Sequence, residues 1–168
     1  MMNSKYLKIL PLLMAGGLIV LDQVSKYAAA VYLKGKEPVT LIPSVLKLQY
    51  LYPENRGIAF GLMQGGTVLF SALAILLLSF LLLIFFRLPG NRRMTPLFIS
   101  GALLFSGAAG NLIDRVFRGY VIDFIYFYLI DFPLFNIADV CVVTGSVLLA
   151  VLILFVYKED ELQLFKGK

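Results

Sequence analysis

Histidine is absent from this 168-residue chain, and cysteine occurs once. Without histidine there is no Ser-His-Asp triad, no Cys-His pair, no HExxH metallopeptidase motif and no His-ligated zinc. A lone Cys141 excludes an intramolecular disulfide and a cysteine-ligated metal cluster. It stands in an apolar run, where a thiol packs as a small hydrophobe. Charge is scarce as well: Asp, Glu, Lys and Arg make up 15% of the residues, with a net charge of +5. The basic residues are not grouped with stacking aromatics, so no nucleic-acid partner is expected. They suit the orientation of membrane helices instead. No metal ligand set, cofactor motif, internal repeat or low-complexity segment is visible.

Apolar sequence fills the space that charge leaves. The hydrophobic fraction is 60% and the mean hydropathy +0.89, against roughly 45–50% apolar residues in soluble globular chains. The expected fold class is an α-helical integral membrane protein, one domain over 1–168. Four stretches approach the ~20 apolar residues that span a bilayer. They lie at about 9–31, 67–86, 96–112 and 134–157. The first resembles a secretory signal peptide, with Lys5 and Lys8, an apolar run and Ala28-Ala29-Ala30. Asp22 and Lys26 interrupt that pattern, so a retained transmembrane helix is expected.

The loop 87–95, RLPGNRRMT, carries Arg87, Arg92 and Arg93 and no acid. The positive-inside rule puts it in the cytoplasm, and four spans then put both termini there too. Loops 32–66 and 113–133 fall outside. In the first of these, Leu46, Leu48, Tyr50 and Tyr52 alternate with Lys47, Gln49 and Leu51, which predicts a strand with one apolar face. A small sheet on the outer membrane surface is expected. Tyr27, Tyr32, Tyr120, Tyr126 and Tyr128 should lie near the headgroups.

An ionisable residue in a span costs ~2.5–3.5 kcal/mol on insertion scales, so each needs a partner or a task. Asp22 and Lys26 are four apart and face one side of the first helix. They fit an intrahelical ion pair; the alternative has Lys26 snorkelling outward to support a site. Ser25 beside Lys26 does not suggest a Ser/Lys dyad, because helix neighbours point about 100° apart. In ENRGIAFG, Asn55 and Gly57 read either as a turn or as a ligand contact at the outer surface.

Asn111, Asp114 and Arg115 put an amide, a carboxylate and a guanidinium on one helical face. They fit a brace at the outer end of the third helix, with the small residues of GAAG permitting close packing. Asn136 and Asp139 share a face at the outer end of the fourth. Asp123 differs, lying in GYVIDFIYFYLI with no basic residue within four positions, in a stretch expected to be re-entrant or interfacial. Asp131 opens a polar turn and reads as a surface or cap residue. Two carboxylates meeting from a loop and a helix start would share a proton, one activating water and the other donating to a carbonyl oxygen. With no histidine and no evident Ser or Cys nucleophile, an aspartyl dyad is the main hydrolytic route left.

The segments LDQVSK, ENRGIAFG, GAAGNLIDRVFRGYVIDF and FNIADV, in that order across residues 21–140, resemble the signature blocks of lipoprotein signal peptidase, also called signal peptidase II. The resemblance implies an aspartic endopeptidase of the bacterial cytoplasmic (inner) membrane. Such an enzyme cleaves diacylglyceryl-modified prolipoproteins on the N-terminal side of the lipidated cysteine. It implies Asp123 and Asp139 as the catalytic pair. It also implies that Asn55, Gly57, Asn111, Asp114, Arg115, Asn136, Asp22 and Lys26 line or brace the site. An active site near the outer leaflet, a β-cradle at about 39–64, contact with membrane lipid, inhibition by globomycin and a monomeric state are further expectations. Pro53 departs from an ordinary strand residue, so the cradle edge should end early.

Two rival readings come from other classes. DR…GYVID resembles in part the carboxylate motif of magnesium-dependent CDP-alcohol phosphatidyltransferases, but Phe127 and Arg115 stand where that motif has an acid and a glycine. A small transporter or proton channel would also use intramembrane aspartates. Here, however, the acids gather at the outer ends of the helices, and no inverted repeat is evident.

Overall fold

The structure is a computed structural model that describes residues 4–56, 66–158 and 161. Its elements run α1 (Ser4–Tyr32), β1 (Val39–Ile42), β2 (Leu46–Leu48), α2 (Gly66–Arg87), α3 (Thr95–Arg118), β3 (Ile125–Phe127) and α4 (Ile137–Val151). Short 3-10 turns lie at Arg92–Met94 and Tyr128–Ile130, and a π-helical turn, Leu152–Val156, extends α4. Four helical segments among the described residues are long and apolar enough to cross a bilayer, so the chain is a multi-pass α-helical membrane protein.

α3 is the central helix and packs against each of the other three. It is the least apolar span and the most buried, whereas no residue in the most apolar part of α2 is fully buried. Lipid is as apolar as leucine, so a helix that faces lipid needs only apolar side chains. One that faces other helices needs small residues and polar partners. The GAAG segment shows how small residues act here. A Cβ on Gly107 would collide with the Ala138 carbonyl oxygen, so α3 and α4 cross in backbone contact. α3 continues past the expected end at Leu112 to Arg118, which makes Asp114 and Arg115 helical. Gly119 then closes it at φ 77°, its N–H donating to Arg115 O at 3.1 Å.

The three strands form an antiparallel sheet in the order β1-β2-β3, with Leu48 opposite both Val39 and Ile125. The expected strand over 46–52 is corrected: regular pairing stops at Leu48. Tyr50 is buried, but Tyr52 is 77% exposed, so the apolar face does not extend to it. β3 supplies only three partner residues, and beyond them the ladder is irregular: Gln49 N donates to Phe124 O and Leu51 N to Asp123 O. Pro53 has no N–H to add, and pairing resumes where Val121 N donates to Asn55 O at 2.8 Å. On its other side this segment is tied to Phe135, which exchanges two hydrogen bonds with Ile125. The stretch around Asp123 is therefore stitched into extended chain on both flanks. The part of the cradle expected at 57–64 lies outside the described residues.

Candidate active site

The start of α4 organises the polar cluster. A helix leaves its first N–H groups without intrahelical partners, and here they are met by site residues. Asn136 is the N-cap: its side chain accepts from Asp139 N at 3.0 Å, and Asp139 Oδ2 accepts from Asn136 N at 3.0 Å. This is a reciprocal capping box, with the cap itself worth about 1 kcal/mol. Ala138 N donates to Asp22 Oδ1 of α1 at 2.9 Å, so a carboxylate from another helix completes the cap. The spacing that makes Asn136 and Asp139 a cap also aims them to one side.

The amide of Asn136 then reaches across to the loop. Its Nδ2 donates to Asp123 Oδ1 at 2.7 Å and lies 3.2 Å from Asn111 Oδ1 and 3.4 Å from Ile122 O. Asn55 Nδ2 donates to Asp123 Oδ2 at 2.8 Å, and Asn111 Nδ2 to Asp139 Oδ1 at 2.8 Å. Each of the four oxygens of Asp123 and Asp139 thus meets an N–H donor, and Asn136 touches both carboxylates. Asp123 is nearly inaccessible at 2%, in a segment where Val121, Ile122 and Phe124 are buried as well. Asp139 is half-buried. Burial pushes the Asp123 carboxyl up to about 6, helped by the charge of Asp139 and opposed by the hydrogen bonds from Asn55 and Asn136.

Behind the two carboxylates sits Lys26. Its Nζ is 2.8 Å from Asp22 Oδ2, 3.0 Å from Asp114 Oδ2 and 2.8 Å from Asn111 Oδ1. The snorkelling alternative is corrected, because Lys26 is fully buried. It makes the i, i+4 ion pair and also holds the carbonyl of Asn111, whose amide end faces Asp139. Arg118 Nη1 pairs with Asp114 Oδ1 at 2.9 Å, so two cations balance two carboxylates. Ser25 Oγ turns back to Asp22 O at 2.8 Å, away from any role beside Lys26.

Arg115 does not pair with Asp114. Its guanidinium carbon lies 5.6 Å from the centre of the Phe70 ring, and its buried Nε has no hydrogen-bond partner among the described residues. Asp131 lies apart from the site, taking a hydrogen bond from Tyr126. Gly57 is outside the described residues. No three Asp, Glu or Cys side chains converge among the described residues; where Asp22 and Asp114 meet, the cation between them is Lys26. Phe127, the position that would complete a phosphatidyltransferase-type acid set, is a strand residue.

Two supporting residues escaped the sequence reading. Gln23 Nε2 donates to Asp22 Oδ2 and to Gly110 O, both at 3.1 Å, locking α1 to α3. Arg118 carried a signal, its i, i+4 spacing from Asp114, but lay beyond the expected helix end.

Against known proteins, a family model described as signal peptidase (SPase) II matches residues 14–155, a span that includes every residue of this cluster. The chain is 37% identical over 143 residues to a lipoprotein signal peptidase of Halothermothrix orenii, covering 85% of this chain and 92% of the relative. It is 41% identical over 145 residues to one from Clostridium tetani, covering 84% and 88%. Two solved structures described as bacterial membrane enzymes are also similar. One has a TM-score of 0.76 at 33% identity, covering 94% of this chain and 92% of the other. The second has a TM-score of 0.77 at 34% identity, covering 88% and 94%.

Proposed function

The chain belongs to the signal peptidase II family, and from that premise we propose that it removes the signal peptide from diacylglyceryl-modified prolipoproteins, with Asp123 and Asp139 as the catalytic pair. The observation that carries the pair is the shared residue Asn136, which contacts both carboxylates from the start of α4. In this reading the dyad holds one proton. It resides on the more deeply buried Asp123, whose carboxyl titrates near 6. Asp139, the more accessible of the two, takes a proton from the attacking water as its oxygen joins the scissile carbonyl carbon. Asp123 gives its proton to the carbonyl oxygen. The tetrahedral gem-diol then collapses: one of its hydroxyls returns a proton to Asp123 as the C=O bond re-forms, the C–N bond breaks, and the proton on Asp139 passes to the leaving nitrogen of the lipidated cysteine.

The remaining residues have supporting tasks. Asn55, Asn111 and Asn136 fix the two carboxylates, while Asp22, Lys26 and Asp114 hold Asn111 and the start of α4. Arg115, whose buried Nε has no partner among the described residues, is available to a substrate carbonyl. The whole chain acts as one membrane-embedded peptidase unit, a monomer with both termini cytoplasmic. The basic 87–95 loop faces the cytoplasm, and the sheet lies at the outer leaflet of the bacterial inner membrane. Globomycin would compete at this site.

Cleavage of a diacylglyceryl-modified prolipoprotein by purified protein tests the reading. Asp123→Asn and Asp139→Asn should each lower the rate by roughly 10²–10⁴-fold or more while membrane insertion persists. Full cleavage by either variant would remove the assignment. A chelator should leave cleavage unchanged, which separates this chemistry from a magnesium-dependent lipid transfer.

A further inference from the structure

At the end of the bundle away from the carboxylates, α1 and α2 both pack on α3 but make little contact with each other. The wedge between them is an apolar cleft of about 260 Å³, walled by Pro11 and Gly16 of α1, Leu82 and Phe85 of α2, and floored by Phe98 and Gly101 of α3. Among the described residues nothing lies within 4 Å of a Cβ built on Gly16 or Gly101, so these glycines open the space instead of admitting a neighbouring helix.

The mouth of this cleft is basic. Lys8 Nζ donates to Phe85 O at 3.0 Å and stands 5.3 and 5.4 Å from the Phe85 and Phe98 ring centres. Lys8 is partly exposed, and an ammonium has three donors, so the contact with Phe85 O leaves capacity for an anion. Arg92 is exposed at the same end. Arg93 is engaged by Glu161, the one acid among the described residues there. Basic pockets between transmembrane helices are suited to anionic lipid headgroups.

We propose that this cleft is a binding site for one anionic phospholipid, with an acyl chain between α1 and α2 and its phosphate at Lys8 and Arg92. The alternative apolar occupant, a signal-peptide helix, is 10–12 Å across. It would meet the strap that Lys8 makes from α1 to Phe85 of α2, whereas a flexible hydrocarbon chain enters from the side and stops below it.

The test is native mass spectrometry of delipidated protein given phosphatidylglycerol or phosphatidylcholine with identical acyl chains. Phosphatidylglycerol should be retained at least several-fold better. Lys8→Gln should reduce that preference, and Gly101→Leu, whose side chain enters open space, should lose both lipids. Equal retention of the two lipids by the unsubstituted protein would overturn the proposal, as would undiminished phosphatidylglycerol on Gly101→Leu. If Gly101→Leu instead kept its lipid but raised KM for lipidated substrate, the cleft would belong to the substrate helix.

Discussion

Asp123 owes its chemistry to a conflict between enclosure and hydrogen bonding. Its burial, in the same segment as the buried Val121, Ile122 and Phe124, favours the neutral acid, while the donors Asn55 and Asn136 favour the carboxylate. The balance near 6 lets it hold a proton at the start of a reaction and release it at the next step. If Asp123 is the acid, kcat/KM falls as pH rises through its titration, because only the protonated form can donate. Asn55→Ala removes a bond that favours the charged form, so the carboxyl titrates higher and the alkaline limb should move to higher pH. The backbone bond from Val121 N to Asn55 O survives that substitution. A pH–rate profile checks this; an unmoved limb would assign the titration elsewhere. Folding stability follows the same sign. The raised value of Asp123 contributes stability below about pH 4 that is lost as pH rises through about 6. The melting temperature of Asp123→Asn should therefore improve relative to the parent between pH 5 and pH 8.

Among the helices, α3 and α4 meet through glycine, and the site depends on how close they come. Gly110 is the case that bears on the site, since a Cβ there would stand 2.6 Å from Asp22 Oδ2. That oxygen is the end of a side chain, but it is not free to move: Lys26 and Gln23 hold it, and the other oxygen caps α4 at Ala138. Overpacking of this kind costs about 1–3 kcal/mol. Gly110→Ala should thus lower stability by that order and lower kcat as well, because displacing Asp22 loosens the helix start that carries Asn136 and Asp139. Thermal unfolding and cleavage measured together provide the check; full activity would mean that Asp22 has room to yield. Gly101, on the same helix but beside open space, is the natural control.

Taken whole, the molecule carries a neutralised ionic centre at the sheet end of an apolar bundle. Lys26 joins α1 to α3 through Asp114, and Asp22 joins α1 to α4 through Ala138 N. Removing one member of a buried ion pair costs about 3–5 kcal/mol, since it strands the partner charge. Lys26→Met should lose stability on that scale and also lose activity, because Asn111 is then free to turn from Asp139. Adding Asp22→Asn should restore part of the stability but not the activity. Melting curves and cleavage assays on the single and double variants decide it. A Lys26→Met protein of parental stability would show that the cluster does not hold the bundle together.

Several of these features were legible in the sequence by itself. A long apolar run admits few alternatives in a bilayer, because backbone groups must be satisfied within the segment, so the four helices could be read from composition. The i, i+4 pairing of Asp22 with Lys26 and the cap spacing of Asn136 and Asp139 are local, and helix geometry alone dictates them. The loops were harder. Tyr52 broke the expected strand face because strand length depends on a distant partner, and β3 offers only three residues. Lys26 turned inward because Asp114 and Asn111, more than 80 residues along, supply better partners than the headgroups. The meeting of Asp123 with Asn136 was decided by tertiary structure too, since it requires the segment 49–55, Phe135 and the capped start of α4 to close around one loop. Spacing fixes what neighbours in a helix do; which distant groups share a buried charge depends on how the whole chain packs.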